Sequence, residues 1–234
     1  MKIQNSVIVI TGASGGIGLA LAKNLAVKGA TIVLAARSED KLQQLEKEIP
    51  GSFAVPTDMR NPEDITKLIK ITKEKFGHID ALINNAGQGM RSSVEKINID
   101  DYKKIMELNV FAVVEAMQAV IPLMREAGHG FILNVSSMVS KNYFPELGAY
   151  SSTKYALNAI SLTARAELEK DNIRVSVFHP RMTATEFGAN SRGEKYSSFA
   201  GRPGMQSDTA EAVAEEIAKQ IESEQAEVMM GQSL

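Results

Sequence analysis

"VIVITGASGGIG", residues 7–18, joins an apolar run to a cluster of glycines. The run "VIVI" is continuous rather than alternating, which is typical of a strand that helices cover on both faces. Glycines follow it directly, and Ile17, Leu21 and Leu25 then recur at helical spacing over residues 16–28. The stretch therefore predicts a buried strand, a tight glycine turn and a helix, in that order.

Further apolar runs of the same kind recur along the chain, at 31–36, 53–57, 80–86, 130–136 and 174–180. Amphipathic stretches separate them, with helices predicted from Asn61-Pro62 through Ile71 and over 100–126 and 150–170. Strand and helix alternate about six times, which predicts an α/β fold. We expect a single-domain Rossmann-type doubly wound parallel sheet of six to seven strands, with helices on both faces, over residues 1–234.

The last part of the chain has a different character. Residues 188–204 are rich in glycine, serine and charge without periodicity, which predicts a functional substrate loop at about 187–205. A short C-terminal helix is predicted over 208–223, and "AEVMMG" at 226–231 suits a short final strand.

Composition excludes several classes of function. Net charge is −2 with no long run of one sign, so no nucleic-acid surface is predicted. The chain has no cysteine, which excludes thiolate metal sites and fits a cytoplasmic protein. His78, His129 and His179 show no ligand spacing and are expected at loops or strand ends, so no metal is predicted. No apolar run approaches the roughly 18–20 residues of a membrane span, and no signal-peptide layout precedes the first strand.

The glycine turn has the chemistry of a phosphate site. Gly12, Gly16 and Gly18 are spaced G-x-x-x-G-x-G, so a strict G-x-G-x-x-G search fails. The physical requirement is the same, because a pyrophosphate needs close backbone approach and the free N–H groups of a helix N-terminus. A glycine-rich turn without a ligand is the alternative, and its place after the first strand favours a dinucleotide site.

The end of the second predicted strand indicates which dinucleotide. An acidic residue usually stands there to accept hydrogen bonds from the adenine ribose. Here the position holds Ala36, and Arg37 follows. An arginine pairs with a 2′-phosphate that a carboxylate would repel, and Ser14 and Ser38 offer hydroxyl donors. NADP(H) is therefore favoured over NAD(H), with an ordinary surface arginine as the alternative.

"YSSTK", residues 150–154, places Tyr150 and Lys154 one helical turn apart on a shared face. Such a pair is weak evidence alone, but it stands among other motifs. These are "TGASGGIG" at 11–18, "TDM" at 57–59, "NNAG" at 84–87, "LNV" at 108–110, "NVSS" at 134–137 and "HPRMTATEF" at 179–187. In order and spacing the chain resembles the classical short-chain dehydrogenase/reductase (SDR) family over nearly its whole length.

The resemblance implies a role for each matching residue. Tyr150 is the implied general acid/base, and Lys154 lowers its pKa and binds the nicotinamide ribose. Ser137, thirteen positions before Tyr150, polarises the substrate carbonyl, and Asn109 anchors a water that links Lys154 to solvent. The implied cofactor-binding residues are Gly12, Ser14, Gly15, Gly16, Ile17, Gly18, Arg37, Ser38, Asp58, Met59, Asn85, Ala86, Gly87, Tyr150, Lys154, Pro180, Thr183 and Thr185.

The chemistry agrees with these roles. Carbonyl reduction places negative charge on oxygen and needs a proton, and a free tyrosine with a pKa of about 10 releases one reluctantly near neutrality. A nearby ammonium stabilises the tyrosinate, and a hydroxyl such as that of Ser137 stabilises the developing oxyanion. We therefore predict an NADP(H)-dependent oxidoreductase that interconverts a ketone or aldehyde with an alcohol.

Two other functions stay open. One is a catalytically silent protein that senses NADP(H) and binds a partner, although it would not need Ser137, Tyr150 and Lys154. The other is a sugar-nucleotide epimerase or dehydratase, which uses the same Tyr–Lys pair but usually carries a longer C-terminal substrate domain.

One residue departs from the family pattern. Pro-Gly usually follows the sixth strand, whereas this chain has Pro180-Arg181. Glycine would permit a positive φ or close approach to the nicotinamide, and arginine makes both harder. We hypothesise that Arg181 instead reaches the cofactor phosphates or a substrate anion.

The segments beside the catalytic residues predict a mostly apolar pocket for a hydrophobic carbonyl substrate. Its expected walls are Met90, Met138, Val139, Tyr143, Phe144, Phe187, Tyr196 and Phe199. Arg91, Lys141 and Arg192 are candidates for an anionic group but are expected to be solvated. A homodimer or homotetramer is expected from surplus apolar residues on the two long helices, namely Val110, Val113, Val114, Met117, Ala156, Ile160 and Ala164.

Overall fold

The structure is a computed structural model that describes residues 1–194 and 207–231. Within them the strands, in chain order, are β1 (Val7–Thr11), β2 (Thr31–Ala36), β3 (Ser52–Pro56), β4 (Ala81–Asn84), β5 (Met90–Arg91), β6 (Gly130–Val135), β7 (Ile173–His179), β8 (Arg192–Gly193) and β9 (Glu227–Met229). Seven of them form one sheet in the order β3-β2-β1-β4-β6-β7-β9, while β5 and β8 pair separately. Every pairing is parallel, so the predicted doubly wound sheet is confirmed.

The helices of the described residues are α1 (Gly16–Val27), α2 (Glu39–Glu48), α3 (Pro62–Phe76), α4 (Ile99–Met106), α5 (Ala112–Ala127), α6 (Gly148–Leu168) and α7 (Ala210–Ser223). A π-helical segment, Glu107–Phe111, joins α4 to α5, so the helix predicted over 100–126 is interrupted near Asn109. The apolar periodicity does not predict α2, because only Leu42 and Leu45 of that helix are buried.

The continuous apolar runs are explained by a core on each face of the sheet. Successive side chains of a strand point to opposite faces. Ile8 and Ile10 of β1 therefore lie in the core beneath α1 and α7, whereas Val7 and Val9 lie in the core beneath α3, α5 and α6. Neither face of the central strands is exposed to solvent, so apolar and polar residues do not alternate along them.

The prediction of surplus apolar surface on the long helices was partly wrong. Val110, Val113 and Met117 are at most 4% exposed, because α5 packs on the sheet. Val114 and Ile160 are only partly buried at the edge of that core. The helical stretch Ile99–Ala127 is long and apolar enough to cross a membrane, but nearly half of its most apolar window is buried in this fold. The homodimer or homotetramer stays a prediction.

Two histidines that are distant in sequence meet at one carboxylate. Asp80, just before β4, accepts a hydrogen bond from the Val7 N–H at 2.7 Å. His78 Nε2 lies 3.1 Å from Asp80 Oδ2, and His129 Nε2 lies 3.0 Å from Asp80 Oδ1. This cluster joins the amino-terminal ends of β1, β4 and β6, at the sheet edge opposite the glycine turn. The hydrogen bond that His129 donates to Asp80 raises the pKa of His129, despite a smaller opposing effect of burial.

The raised pKa of His129 predicts a pH-dependent stability. The stabilisation by its protonated form is fully present below the unfolded-state pKa of about 6.5. It is lost as the pH rises through the higher folded-state pKa. We expect the melting temperature of wild type to fall between about pH 6.5 and 8 more steeply than that of His129→Asn. Parallel melting curves for the two proteins across this range would contradict the role of the Asp80–His129 pair.

Candidate active site

The carboxyl ends of the parallel strands meet at one sheet edge, and the glycine turn after β1 is its centre. Gly12 and Gly16 have φ angles of 68° and 53°, which glycine adopts without strain. Gly18 is required for a different reason, because a Cβ there would lie 2.4 Å from the Gly12 carbonyl oxygen. With glycine at position 18, the start of α1 therefore packs against the end of β1 more closely than a residue with a Cβ would allow.

The start of α1 is open to a ligand. Its first helical hydrogen bond is donated by the Leu19 N–H to the Gly15 oxygen, so the preceding N–H groups lie outside the helix's own bonding. Gly15 supplies no side-chain cap. A Cβ built on Gly15 meets nothing within 4 Å, so the space above the turn is free. Free N–H groups, the positive end of the helix dipole and open space fit a dinucleotide pyrophosphate.

Thr11 holds this turn against the loop after β4. Its Oγ1 accepts hydrogen bonds from the N–H groups of Asn85 and Ala86, at 3.0 and 3.1 Å. Asn85 Nδ2 donates in return to the Thr11 oxygen at 2.9 Å. Thr11 is buried, and sequence reasoning did not single it out. Its position as the last residue of β1, directly before the glycines, is the signal for this role.

Arg37 and Ser38 are exposed at the carboxyl end of β2. The Ser38 hydroxyl makes no capping bond to α2, so it is available to a ligand. Asp58 is the acidic neighbour; burial tends to raise its pKa, but bonds from Arg60 and the charges of Arg60 and Arg37 hold it below its usual value. Met59 is 5% exposed and belongs to the core that α3 and α5 cover.

Lys154 is buried in the middle of the site. Its Nζ donates to the Val135 oxygen at 2.9 Å and lies 5.9 Å from the centroid of the Tyr150 ring. A Cβ built on Gly87 would come within 3.7 Å of Nζ, so this loop also closes on the ammonium. Burial lowers the pKa of Lys154 to about 8. The predicted Tyr–Lys pair is thus a nearly buried phenol beside a fully desolvated amine.

Asn109 is fully buried in the π-helical segment. Its Oδ1 accepts from the Gln88 N–H at 2.9 Å, and its Nδ2 donates to the Gln88 oxygen at 2.9 Å and to Thr153 Oγ1 at 3.1 Å. Both amide protons are therefore used. The Asn109 side chain therefore joins the loop after β4 to α6. The water predicted at Asn109 cannot be bound by these two amide protons.

Ser137 ends the turn that follows β6. The neighbouring Ser136 hydroxyl is buried and donates to Asn158 Oδ1 at 2.6 Å. Ser137 is partly exposed, and its Oγ accepts from the Val139 N–H at 3.3 Å. Its own hydroxyl proton is left to donate to a substrate oxygen. The contacts of the two serines in "NVSS" therefore favour Ser137 over Ser136, as the thirteen-residue spacing to Tyr150 does.

The segment after β7 leads from Ser137 back to the glycine turn. The buried Pro180 accepts from the Met138 N–H at 3.0 Å. Thr183 Oγ1 donates to the Arg181 oxygen. Thr185 lies over the glycine turn, since a Cβ on Gly16 would be 3.2 Å from its Cγ2.

Arg181 does not adopt a positive φ, and its side chain is already paired. Nε and one terminal nitrogen donate to the two oxygens of Asp208, at 3.0 and 2.8 Å. Asp208 also pairs with Met182 and Ala184 through the backbone. In this structure Arg181 therefore joins the residues before and after the predicted loop and does not extend toward the glycine turn.

Part of the predicted loop at 187–205 lies in the described residues, and the rest, including Tyr196 and Phe199, lies outside them. The Phe187 and Tyr150 ring centroids are 5.8 Å apart. Gln88 Nε2 donates to the Asn190 oxygen at 2.8 Å, and Arg192 Nε donates to Gln88 Oε1 at 2.8 Å. Residues 187–193 are thereby held beside Tyr150.

The expected pocket walls need correction. Met90 is only 2% exposed and packs with Tyr150 in a small core. Tyr143 is 90% exposed and stacks on Tyr155, so it does not line a pocket. Met138, Val139, Phe144 and Phe187 keep some exposed surface near the site.

The three cations expected to be solvated are all engaged in ion pairs instead. Arg91 pairs with Glu146, Lys141 with Glu227 at 2.7 Å, and Arg192 with Asp101 at 2.6 Å.

Residues 6–195 match the family model described as short chain dehydrogenase. The chain belongs to the short chain dehydrogenase family. Dehydrogenase/reductase SDR family member 7B of Mus musculus is 32% identical over 239 residues, which covers 97% of this chain and 74% of that protein. An uncharacterized oxidoreductase of Staphylococcus saprophyticus is 36% identical over 190 residues, covering 79% of this chain and 77% of that protein.

Solved structures resemble this short chain dehydrogenase along its whole length. A 3-ketoacyl-(acyl-carrier-protein) reductase from Brucella melitensis, complexed with NADH, has a TM-score of 0.88 and 26% identity over 99% of this chain and 100% of its own. An alcohol dehydrogenase from the archaeon Thermococcus sibiricus, complexed with 5-hydroxy-NADP, has a TM-score of 0.86 and 28% identity over 99% of each chain.

Lys154 of this short chain dehydrogenase gives a prediction about stability. Its pKa falls from 10.5 to about 8, which corresponds to a cost of about 3 kcal/mol for keeping the charge buried at pH 7. The lost bond to Val135 offsets about 1 kcal/mol of this. We expect Lys154→Met to raise the free energy of unfolding at pH 7 by about 1–2 kcal/mol, measured by urea denaturation.

The pH dependence gives the control. Between about pH 8 and 10.5 the unfolded wild type binds more protons than the folded form, so wild-type stability should rise with pH. The Met variant should lack this rise. Lys103→Met, whose side chain is 73% exposed, should leave stability unchanged. A less stable Lys154→Met protein at pH 7 would show that the buried ammonium stabilises the fold.

Proposed function

We propose that this protein is an NADP(H)-dependent oxidoreductase that interconverts a ketone or aldehyde with the corresponding alcohol, with Tyr150 as the general acid/base. The observation that carries the proposal is the buried Lys154 ammonium beside the Tyr150 ring. Burying this cation lowers its pKa and is unfavourable for folding, so a purely structural role is a poor explanation. Perturbed titratable groups of this kind cluster at sites of proton transfer.

The chain's own residues hold the substrate and move the proton. The Ser137 hydroxyl donates to the substrate oxygen and stabilises its developing negative charge. The Tyr150 hydroxyl then supplies the proton that completes the alcohol, or removes it in the reverse direction. Lys154 keeps a positive charge close to the tyrosinate that remains, which lowers the free energy of that state. A nicotinamide dinucleotide, when bound, supplies or accepts the hydride.

Several features of the fold support binding of that dinucleotide. The glycine turn and the start of α1 suit a pyrophosphate, Thr185 lies over that turn, and the loop of Asn85-Ala86-Gly87 leads from the turn to Lys154. Two structural neighbours of at least 26% identity, with TM-scores of 0.86 and above, were solved with NADH or an NADP derivative. These neighbours support a nicotinamide dinucleotide of either type.

The preference for NADP(H) depends on Arg37. No carboxylate ends β2, since Ala36 occupies that position and Arg37 and Ser38 follow as exposed donors. Asp58, which senses the charge of Arg37, is engaged by Arg60 in a two-point ion pair, with nitrogen–oxygen distances of 3.2 Å. Glu39 and Asp40 lie in the first turn of α2, so Arg37 is the cation at the end of β2 that would pair with a 2′-phosphate.

The substrate is proposed to be largely apolar. The Phe187 ring lies against Tyr150, and Met138 and Val139 follow Ser137 directly. Arg91 and Arg192 are ion-paired, so binding a substrate anion would require one of these pairs to break. An apolar or aromatic carbonyl compound has no such cost.

Replacing Tyr150 with phenylalanine removes the proton donor and keeps the ring that contacts Phe187. We expect Tyr150→Phe to lower kcat by at least about a hundredfold, the usual contribution of general acid–base catalysis. The dissociation constant for NADPH, followed by its fluorescence, should change less than about twofold because the cradle around Gly12 is intact.

The same experiment separates the alternatives. Oxidation of NADPH by wild type against a panel of apolar ketones and aldehydes excludes a silent sensor. Absence of turnover together with tight NADPH binding would instead favour the sensor. Release of an epimerised or dehydrated sugar nucleotide without net cofactor oxidation would favour the epimerase or dehydratase.

Arg37→Ala tests the choice of cofactor. Loss of a charge-assisted contact to a phosphate should raise the dissociation constant for NADPH by about tenfold or more and leave that for NADH nearly unchanged. Lys41→Ala removes an exposed cation one turn further along α2 and controls for general surface charge. Equal effects of Arg37→Ala on both cofactors, or a wild-type preference for NADH, would contradict the proposed NADP(H) dependence.

A further inference from the structure

His179, at the end of β7, is a buried titratable group that the proposed chemistry does not use. The ring is completely buried, and every nitrogen has a polar neighbour. Its Nε2 lies 2.8 Å from Glu227 Oε1. Its Nδ1 lies 3.1 Å from Ser140 Oγ and 3.3 Å from the Ser137 oxygen. A histidine placed in this way connects the last strand of the sheet to the turn that carries Ser137.

The proton positions follow from the partners. Burial raises the pKa of Glu227, but hydrogen bonds from Lys141 and His179 bring it below its usual value, so Glu227 is a carboxylate. Nε2 of His179 must therefore carry a proton and donate to Glu227. Burial lowers the pKa of His179 more than its partners raise it, so the ring is neutral at pH 7 and Nδ1 is an acceptor.

Ser140 connects the ring to the site. It is 2% exposed, and its Oγ lies 2.6 Å from the Ser137 oxygen as well as 3.1 Å from His179 Nδ1. Its backbone N–H also donates to the Ser137 oxygen at 3.0 Å. Ser136 Oγ lies 3.3 Å from Ser140 Oγ. The single hydroxyl proton of Ser140 serves one acceptor at a time, and when it is donated to His179 Nδ1 the Ser140 N–H keeps the Ser137 oxygen bonded.

We propose that Glu227, His179 and Ser140 form a buried hydrogen-bond chain that positions Ser137 for binding the substrate oxygen. The inference rests on the proposed oxidoreductase function, since it concerns the orientation of the Ser137 hydroxyl in that reaction. The three residues do not touch the substrate. They act through the Ser137 carbonyl, and the start of the chain is on β9, paired with β7 at Phe178 and Val228. Strand β9 is thereby linked to catalysis as well as to the fold.

A chain of this kind predicts a specific pattern of kinetics. Ser140→Ala and His179→Gln should each lower kcat about tenfold at saturating NADPH, because Ser137 is held less firmly. The dissociation constant for NADPH should stay within about twofold of wild type, because the glycine turn is distant. The double variant should lose no more activity than the worse single variant, since both interrupt the same chain.

Controls separate positioning from stability. Thr72→Val removes a hydroxyl that is equally buried and donates to the Leu68 oxygen on α3, so it should lower stability without lowering kcat. If His179→Gln does not fold, Glu227→Gln tests the same hydrogen-bond chain. Glutamine keeps the shape of Glu227, which is partly exposed. Glu215→Gln, on α7, is its matched control, because it removes the charge that pairs with Lys28.

Nuclear magnetic resonance gives a readout that does not require turnover. The imidazole nitrogens of His179 should show a protonated Nε2 and an accepting Nδ1 in wild type. Ser140→Ala should shift the Nδ1 resonance and the amide signals of Ser137 and Val139, while Thr72→Val leaves them in place.

The outcomes distinguish this chain from the proposed function. Suppose that wild type is active. If a folded Ser140→Ala protein then has the kcat of wild type, or if the losses of the two single variants multiply in the double variant, the proposed hydrogen-bond chain is wrong and the proposed function still holds. If wild type turns over no carbonyl compound, the proposed function is contradicted. The hydrogen-bond chain is then tested only by the resonances of His179, Ser137 and Val139. A protonated Nδ1, or Ser137 signals that do not respond to Ser140→Ala, overturns it.

Discussion

The hydrogen bond from Lys154 Nζ to the Val135 oxygen holds the active site together. It joins the first turns of α6 to the carboxyl end of β6, and both residues are buried. Tyr150 lies on the same helix one turn earlier, and Ser137 follows Val135 by two residues. Once this contact forms, Tyr150 and Ser137, the proposed proton donor and substrate-binding hydroxyl, are held at a set separation. The rest of the site is arranged around the same amine, since Gly87 closes on it and Asn109 binds the loop that contains Gly87.

A buried ammonium is unfavourable, and the rest of the fold must offset its cost. Apolar layers on both faces of the seven-stranded sheet do so. The layers are continuous because parallel strands leave no face to water. The carboxyl edge of the sheet can then contain groups that reduce stability, such as the desolvated Lys154 and the tightly folded glycine turn. Stability and chemistry are thus placed in different parts of one domain.

Long-range polar contacts connect that edge to the last part of the chain. Gln88, bound by Asn109, also bonds to Asn190 and Arg192, so Gln88 links the loop after β4 to residues 187–193. Arg181, at the position where the family usually has glycine, bonds Asp208 and fastens the chain after the loop. Glu227 reaches His179 from the final strand. Segments far apart in sequence therefore bear on the geometry near Ser137 and Tyr150.

The sequence by itself determined the parallel sheet, most of its helices and the places of the glycine turn, Ser137, Tyr150 and Lys154, because these depend on local patterns of apolar, glycine and polar residues. It did not predict α2 or the π-helical interruption at Asn109. Only the tertiary structure decided which groups those residues meet. It showed that Met59, Met90 and Val113 belong to the core, that Asn109 is fully engaged, and that His179, at the end of a strand as predicted, is buried. It also brought His78 and His129 to one carboxylate. Such contacts join residues tens to more than a hundred positions apart, and no local pattern records them because the pairing exists only once the strands are side by side.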